Sequence, residues 1–317
     1  QPAELLESVD QFSDVVVRLM DNKELSQDAS QSGRVRFFRV LNLYNEGCTP
    51  VPINSCDPFV LPKDEVLAQR GPQKMPASPA TVPLARLARK ILGQTVGLAL
   101  GGGAAFGISH LGVLKVMEEN NIPIDLLAGC SIGSMVASGY AAGVSVSQLI
   151  EMAHELGQGS KLWKLLDPTM FLYKPSIIGG DNIKEIFAPY LGTRQRFEDL
   201  IWPLRLCATD IETGELVDIK EGRLEDGFRA SSSVPVVIAP VREGERVLVD
   251  GGVVDPVPAE LVRNMGADIV IAINVVPQLK RGVENSLTSF IRFINTINPL
   301  NYIGKGLGLP NTLDITM

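Results

Sequence analysis

TVGLALGGGAAFGISHLGVLKVMEENNIPIDLLAGCSIG, residues 95–133, is the stretch whose reading decides the fold. Its aliphatic run at 96–100 has the length and composition of a buried strand. The run stops at Gly101-Gly102-Gly103, a turn whose backbone can take φ > 0 and lie close to a ligand. From Gly107 apolar positions return at helical spacing, with Ile108, Leu111, Val113, Leu114 and Met117 on one face. A second buried strand, at 124–128, leads into Gly129-Cys130-Ser131-Ile132-Gly133. That pentapeptide fits G-x-S-x-G, a sharp strand-to-helix turn that exposes a serine hydroxyl at the carboxyl edge of a sheet. Ser134, Ala137, Ser138, Gly139, Ala141 and Ala142 behind it are small enough for a helix pressed close to the sheet. Two strand–turn–helix units thus stand in tandem. One offers backbone N–H groups and the other a nucleophile, the two parts that acyl transfer needs.

The chain around this stretch has 317 residues, enough for one large domain with an appendage. With 45% hydrophobic and 21% charged residues it has a globular composition, and no apolar run reaches the length of a membrane span. A net charge of −7 argues against nucleic acid as the partner. Peripheral contact with a membrane needs only an amphipathic patch and stays open. Cys48, Cys56, Cys130 and Cys207 lack metal-ligand spacing and read as free thiols in a reducing compartment. The ends at Gln1 and in the apolar LDITM read as cuts from something longer.

In chain order, apolar residues at 5–20 recur at helical spacing and predict a helix, and 35–43 predicts a strand. Prolines recur through 49–83, which reads as an extended, irregular connector; a short basic amphipathic helix follows at 83–92. Domain organisation is therefore 1–90, helix, strand and proline-rich linker, and 91–317, the main domain. Beyond the serine helix, a helix is expected at 146–156 and an irregular aromatic segment at 163–178, which reads equally as packed core or as a lip for an apolar substrate. The expected elements then run strand 204–210, hairpin partner 215–220, helix 223–232, strands 237–241 and 246–249, and helix 259–265. The run at 267–276, ADIVIAINVV, reads as the clearest buried strand in the chain. Strands alternating with helices imply an α/β fold, a largely parallel sheet sandwiched by helices.

A serine nucleophile needs a base, and the chain has only two histidines, His110 and His154. His154 follows Ser131 too soon, and His110 sits early on the first helix, so both read as packing or surface histidines. The best remaining base is Asp250. It ends the apolar run VLV at a sheet edge and is followed by Gly251 and Gly252, which let the chain turn away. An aspartate at its ordinary pKa is a weak base toward a hydroxyl, so this role requires a desolvated carboxylate in contact with Ser131. The N–H groups of Gly102, Gly103 and Ala104, ahead of a helix N-terminus, are candidate donors to the oxyanion. Alanine tolerates φ > 0 poorly, so position 104 is expected in an ordinary backbone region. The rival reading of the glycine turn, a dinucleotide site, would need Asp125 for the ribose, and Asp125 lies at the wrong end of its strand.

The set GGGAAFG, GCSIG and DGG, in this order and spacing, resembles the patatin-like phospholipases, in particular their bacterial and neuropathy-target-esterase-like branch. HLGVLKVMEENNIP, ATDIETGE, ASSSVPVVIAPV and DGGVVDPVPAELVRNMGADIVIAI support the resemblance, which covers residues 93–276. It implies a Ser131–Asp250 dyad, an oxyanion hole from the glycine turn, and Gly101, Gly107, Gly129, Gly133, Gly251 and Gly252 as supporting positions. It further implies hydrolysis of phospholipid or lysophospholipid esters at a membrane surface without metal or other cofactor. A cytoplasmic location, peripheral to the inner membrane, goes with it. Residues 1–90 are similar to the segment that joins a regulatory module, such as a cyclic-nucleotide-binding domain, to the lipase domain of longer relatives. Two positions depart from the family pattern: Ala104 where glycine is frequent, and Phe106 where Arg or Lys is frequent. The second motivates an alternative reading, a catalytically slow lipid-binding or regulatory protein of the same fold.

Overall fold

The structure, a computed structural model, describes residues 81–157, 196–235 and 238–276, and three strand segments at 15–20, 36–42 and 59–61. The latter are Val15–Met20 (β1), Arg36–Asn42 (β2) and Phe59–Leu61 (β3), a small parallel sheet in that order. The helix expected over 5–20 is therefore corrected at 15–20. VVVRLM opens with three β-branched residues, whose stiffness at χ1 favours extended backbone over the helix that apolar spacing suggested.

The main sheet follows helix α1 (Thr81–Leu92). Pro83 lies in its first turn, where an N–H would have no helical partner. Then come β4 (Val96–Leu100), a 3₁₀ turn at Ala104–Ile108, α2 (Ser109–Glu119), β5 (Leu126–Cys130), α3 (Ile132–Ala141) and α4 (Val146–Gly157). The second half has β6 (Leu204–Asp210), β7 (Leu216–Ile219), α5 (Leu224–Ser231), β8 (Val241–Glu243), β9 (Arg246–Asp250), α6 (Ala259–Asn264) and β10 (Ile269–Ile273). Hydrogen-bonded pairing links β10-β4-β5-β6-β9-β8 in turn, with β7 also paired to β6. β10, β4, β5 and β6 are parallel, while β7, β8 and β9 join antiparallel. This is an α/β fold with a largely parallel sheet.

The two faces of the sheet are packed differently, and the side-chain alternation explains it. Leu98, Leu100, Leu127, Leu204 and Leu206 face α2–α5 and form the main core with Leu114, Leu149 and Phe228. Each such side chain contributes about 1.5–3 kcal/mol on burial. The alternate positions are small: Ala99, Ala128, Cys130 and Cys207 meet Leu261 and Val262 of α6. A Cβ at Gly97 would come within 1.9 Å of Val262. So α6 rides closer to the sheet than the opposite helices can.

At the amino ends of the strands, Arg89 of α1 holds Asp125. Its Nε donates to both carboxylate oxygens (3.1 and 2.9 Å) and its Nη2 to Oδ1 (2.6 Å), while the Val96 N–H donates to Oδ2 (2.9 Å). Asp125 is thus a structural anchor far from the glycine turn, which removes the ribose role. Arg89→Ala leaves this buried carboxylate without its cation. Because Arg89 is a quarter exposed and Val96 still donates, the expected loss is near the low end for a broken buried pair, about 3 kcal/mol. A urea midpoint equal to wild type would show that the pair does not hold α1.

β10 corrects a second expectation. Among the described residues it is the edge strand, paired to β4, with none of its five residues buried and Ile269 49% exposed. A run of aliphatics records strand propensity but carries no information about which position in the sheet the strand occupies. The 163–178 segment lies outside the described residues.

Candidate active site

The register of β6 brings the chemistry together. β7 pairs with residues 206–209 of β6, β5 with 204–207 and β9 with 208–210. Where β7 overlaps each of the others it must take the opposite edge, so β5 and β9 share one edge of β6. β5 runs with β6 and ends at Cys130 opposite Cys207; β9 runs against it and ends at Asp250 opposite Ala208. The two strands therefore meet end to end. One delivers Ser131 and the other Asp250 to the same point.

Both residues are buried, Ser131 8% and Asp250 4% exposed. Asp250 Oδ1 accepts from the Gly252 N–H at 2.7 Å, with the Cys130 thiol at 3.9 Å. Oδ2 has no hydrogen-bond partner among the described residues. The Ser131 hydroxyl beside it favours the ionised carboxylate. Burial outweighs these contacts and pushes the Asp250 carboxyl up to about 6. The Cys130 thiol is raised far above its usual range, chiefly by its contact with Cys207, then by burial, so it stays neutral and unreactive.

The glycine turn closes the other side. β4 lies beside β5, and its end carries the start of α3: a Cβ at Gly133 would be 2.2 Å from the Leu100 carbonyl oxygen. A Cβ at Gly102 would be 3.3 Å from the Ser131 Cβ. The turn is pinned at three points. Gly101 N–H donates to Ile273 O (3.0 Å), Gly102 N–H to Pro256 O (2.8 Å), and the His110 ring to Gly101 O (2.8 Å). A carbonyl only accepts, so His110 carries its proton on Nε2; burial lowers its pKa, and it braces the turn as a neutral ring. The Gly102 bond removes one of the three expected oxyanion donors. Gly103 and Ala104 keep N–H groups without acceptors among the described residues.

Gly107, Gly129 and Gly251 also sit where a side chain would collide: with Ile132 at 2.1 Å, Ser134 Cα at 2.6 Å and the Cys207 carbonyl oxygen at 2.4 Å. A Cβ at Gly101 would meet Ile273 O at 2.9 Å, and one at Gly252 would meet Asp250 Oδ1 at 3.0 Å. Two site residues carry backbone strain. Ser131 has φ 52° and ψ −123°, the sharp elbow of a strand-to-helix turn, and Ala104 has φ 45°. The expectation of ordinary backbone at 104 is thus overturned. The pinned turn dictates the left-handed angle, at about 1–2 kcal/mol for a residue with a Cβ.

The family model for patatin-like phospholipases matches residues 98–263, just over half the chain, a span that holds the glycine turn, Ser131 and Asp250. The chain belongs to the patatin-like phospholipase family. Patatin-like phospholipase domain-containing protein 6 of Mus musculus is 36% identical over 197 residues, 61% of this chain and 14% of that protein. Lysophospholipase NTE1 of Coccidioides immitis is 32% identical over 223 residues, 68% of this chain and 14% of its own length. These relatives fit the neuropathy-target-esterase-like branch, and this patatin-like chain spans only 14% of their length. VipD from Legionella pneumophila, a solved structure, is similar at a TM-score of 0.43 and 16% identity over 56% of this chain and 49% of its own, a likeness too partial to argue from.

Sequence reasoning missed the residues that brace this patatin-like site. The Pro256 carbonyl and the hydroxyl of Ser231, which accepts from the Ser131 N–H at 3.0 Å, act through contacts that no local pattern signals. Among the described residues no group of three His, Cys, Asp or Glu side chains could hold a metal ion.

Proposed function

We propose that this chain is a lipid acyl hydrolase that cleaves carboxylic esters of phospholipids or lysophospholipids through a Ser131–Asp250 dyad. The observation that carries the reading is Asp250 itself: a buried carboxylate, raised to about 6, with one bare oxygen beside a strained serine. A base with a pKa close to working pH is mostly ionised yet strong enough to take a hydroxyl proton. Asp250 accepts that proton as Ser131 Oγ attacks the acyl carbonyl carbon. The tetrahedral oxyanion faces the N–H groups of Gly103 and Ala104, each such donor being worth about 2.7–4 kcal/mol. Collapse expels the alcohol, which takes the proton back from Asp250 and leaves an acyl-Ser131 ester. Water, deprotonated by the same carboxylate, releases the fatty acid and restores the serine.

Exposed apolar residues support a lipid substrate. Phe106 and Ile108 follow the glycine turn, and Val253 and Val254 follow Asp250, so both neighbours of Ser131 continue into uncharged rims. Among the described residues no helix is long and apolar enough to cross a membrane, and contact with a lipid surface is proposed as peripheral. Residues 91–317 form the hydrolase domain in this reading; an upstream regulatory module and a cytoplasmic setting belong to the same proposal.

A fluorophosphonate probe tests the reaction class. Expected is covalent labelling at Ser131, located by peptide mass, and none in Ser131→Ala. A folded wild-type protein that stays unlabelled would instead favour the slow, lipid-binding reading that Phe106 motivates.

A further inference from the structure

Three serines in a row end α5, and they have three different fates. Ser231 Oγ accepts from the Ser131 N–H at 3.0 Å. Ser232 Oγ is buried without a partner among the described residues. Ser233 Oγ donates to the Arg229 carbonyl (2.9 Å) and accepts from Arg229 Nη1 (2.7 Å), while the Ser233 carbonyl accepts from the Asp250 N–H at 2.9 Å. A span of three residues therefore grips the backbone of the nucleophile at one end and that of the carboxylate at the other.

The span is itself stiff. Ser232 and Ser233 N–H groups bond back to Phe228 and Ala230 (3.0 and 3.1 Å), and Val234 N–H to Ser232 O (2.8 Å). All three serines are buried, and α5 packs on β6, β9 and α3. The grip acts on strained ground. At φ 52° the Ser131 backbone has no helical or sheet hydrogen bond for its N–H, so the Ser231 hydroxyl supplies the acceptor that holds the elbow in place.

We propose that Ser231 is a positioning residue: its hydroxyl fixes the Ser131 elbow while Ser233 fixes Asp250, so the end of α5 sets the separation of hydroxyl and carboxylate. This rests on the reading of those two residues as the reacting pair. A displacement of about 1 Å between the hydroxyl and the carboxylate is enough to lose about 10²-fold in rate.

The experiment compares Ser231→Ala, Ser231→Cys and Ser232→Ala in the full 317-residue chain. The readouts are hydrolysis of p-nitrophenyl butyrate and the rate of fluorophosphonate labelling, both taken below each variant's melting temperature. Ser231→Ala is expected to lower kcat by about 10–100-fold with KM within about twofold. Ser232→Ala removes an equally buried hydroxyl that holds nothing, and is expected to keep kcat within about twofold of wild type. Ser231→Cys preserves volume but offers sulfur, a weak acceptor, and is expected to resemble Ser231→Ala. It carries the test if the alanine variant fails to fold. Equal kcat losses in Ser231→Ala and Ser232→Ala, or full activity in Ser231→Cys, would overturn the proposal. Failure of the underlying dyad looks different: Ser131→Ala would then keep its activity, whatever Ser231 does.

Discussion

Asp250→Asn is expected to lower ester hydrolysis by about 10²–10⁴-fold, the usual contribution of a general base, and to raise stability at neutral pH. The second effect follows from the first residue's burial. Asp250 has its carboxyl pushed from 3.8 up to about 6, because the folded protein disfavours its charged form. For a group whose folded pKa is raised, the relative stability is full below the unfolded value and is lost as pH rises through the folded one. Wild type therefore loses stability between roughly pH 4 and 6, amounting to about 3 kcal/mol by pH 8. Asparagine stays neutral throughout and keeps an oxygen for the Gly252 N–H. Unfolding of both proteins in urea should give equal midpoints near pH 3, with the variant ahead at pH 8. The same titration sets the rate: kcat/KM is expected to fall on acidification through about pH 6, and His154→Ala leaves that limb in place. Near-full activity in Asp250→Asn, or an acid limb that vanishes with His154, would disprove the assignment. In the proposed mechanism Asp250 would destabilise its own fold in exchange for reactivity, which separates function from scaffolding.

Gly133→Ala is expected to be the most damaging single methyl in the site. The added carbon would lie 2.2 Å from the Leu100 carbonyl oxygen, 2.6 Å from its carbon and 2.7 Å from the Gly101 oxygen, all backbone. No side chain can rotate away, so α3 must lift off the end of β4. Overpacking of this kind costs about 3 kcal/mol or more. The same movement carries Ser131 away from the glycine turn, and about 1 Å of separation brings a rate loss of about 10²-fold. Gly112, where nothing lies within 4 Å of an added Cβ, is the matching control. A Gly133→Ala protein with wild-type melting temperature and activity would mean that the approach of α3 to β4 is looser than described.

Much of this site was legible from residue order alone. The runs at 96–100, 204–210 and 246–249, the helices after each glycine turn, and Ser131 at its elbow follow from turn chemistry and short-range periodicity. These depend on neighbours within a few residues. Where a β-branched run and helical apolar spacing competed, at 15–20, the expectation failed because pairing with β2 decided the outcome. At Ala104 residue preference pointed to ordinary backbone, and the pinned turn imposed φ 45° instead.

The types of residue and their strand-end positions are enough to nominate Ser131 and Asp250 as the proposed reacting pair. Their meeting is a property of β6. Only the tertiary pairing puts β7 on one edge and leaves β5 and β9 to abut on the other, with Cys130 and Asp250 at adjacent register positions. Strand order and register are set by burial and hydrogen bonding between distant segments, and nothing local encodes them. The raised carboxyl of Asp250 has the same origin, since desolvation belongs to the assembled core and to no stretch of sequence.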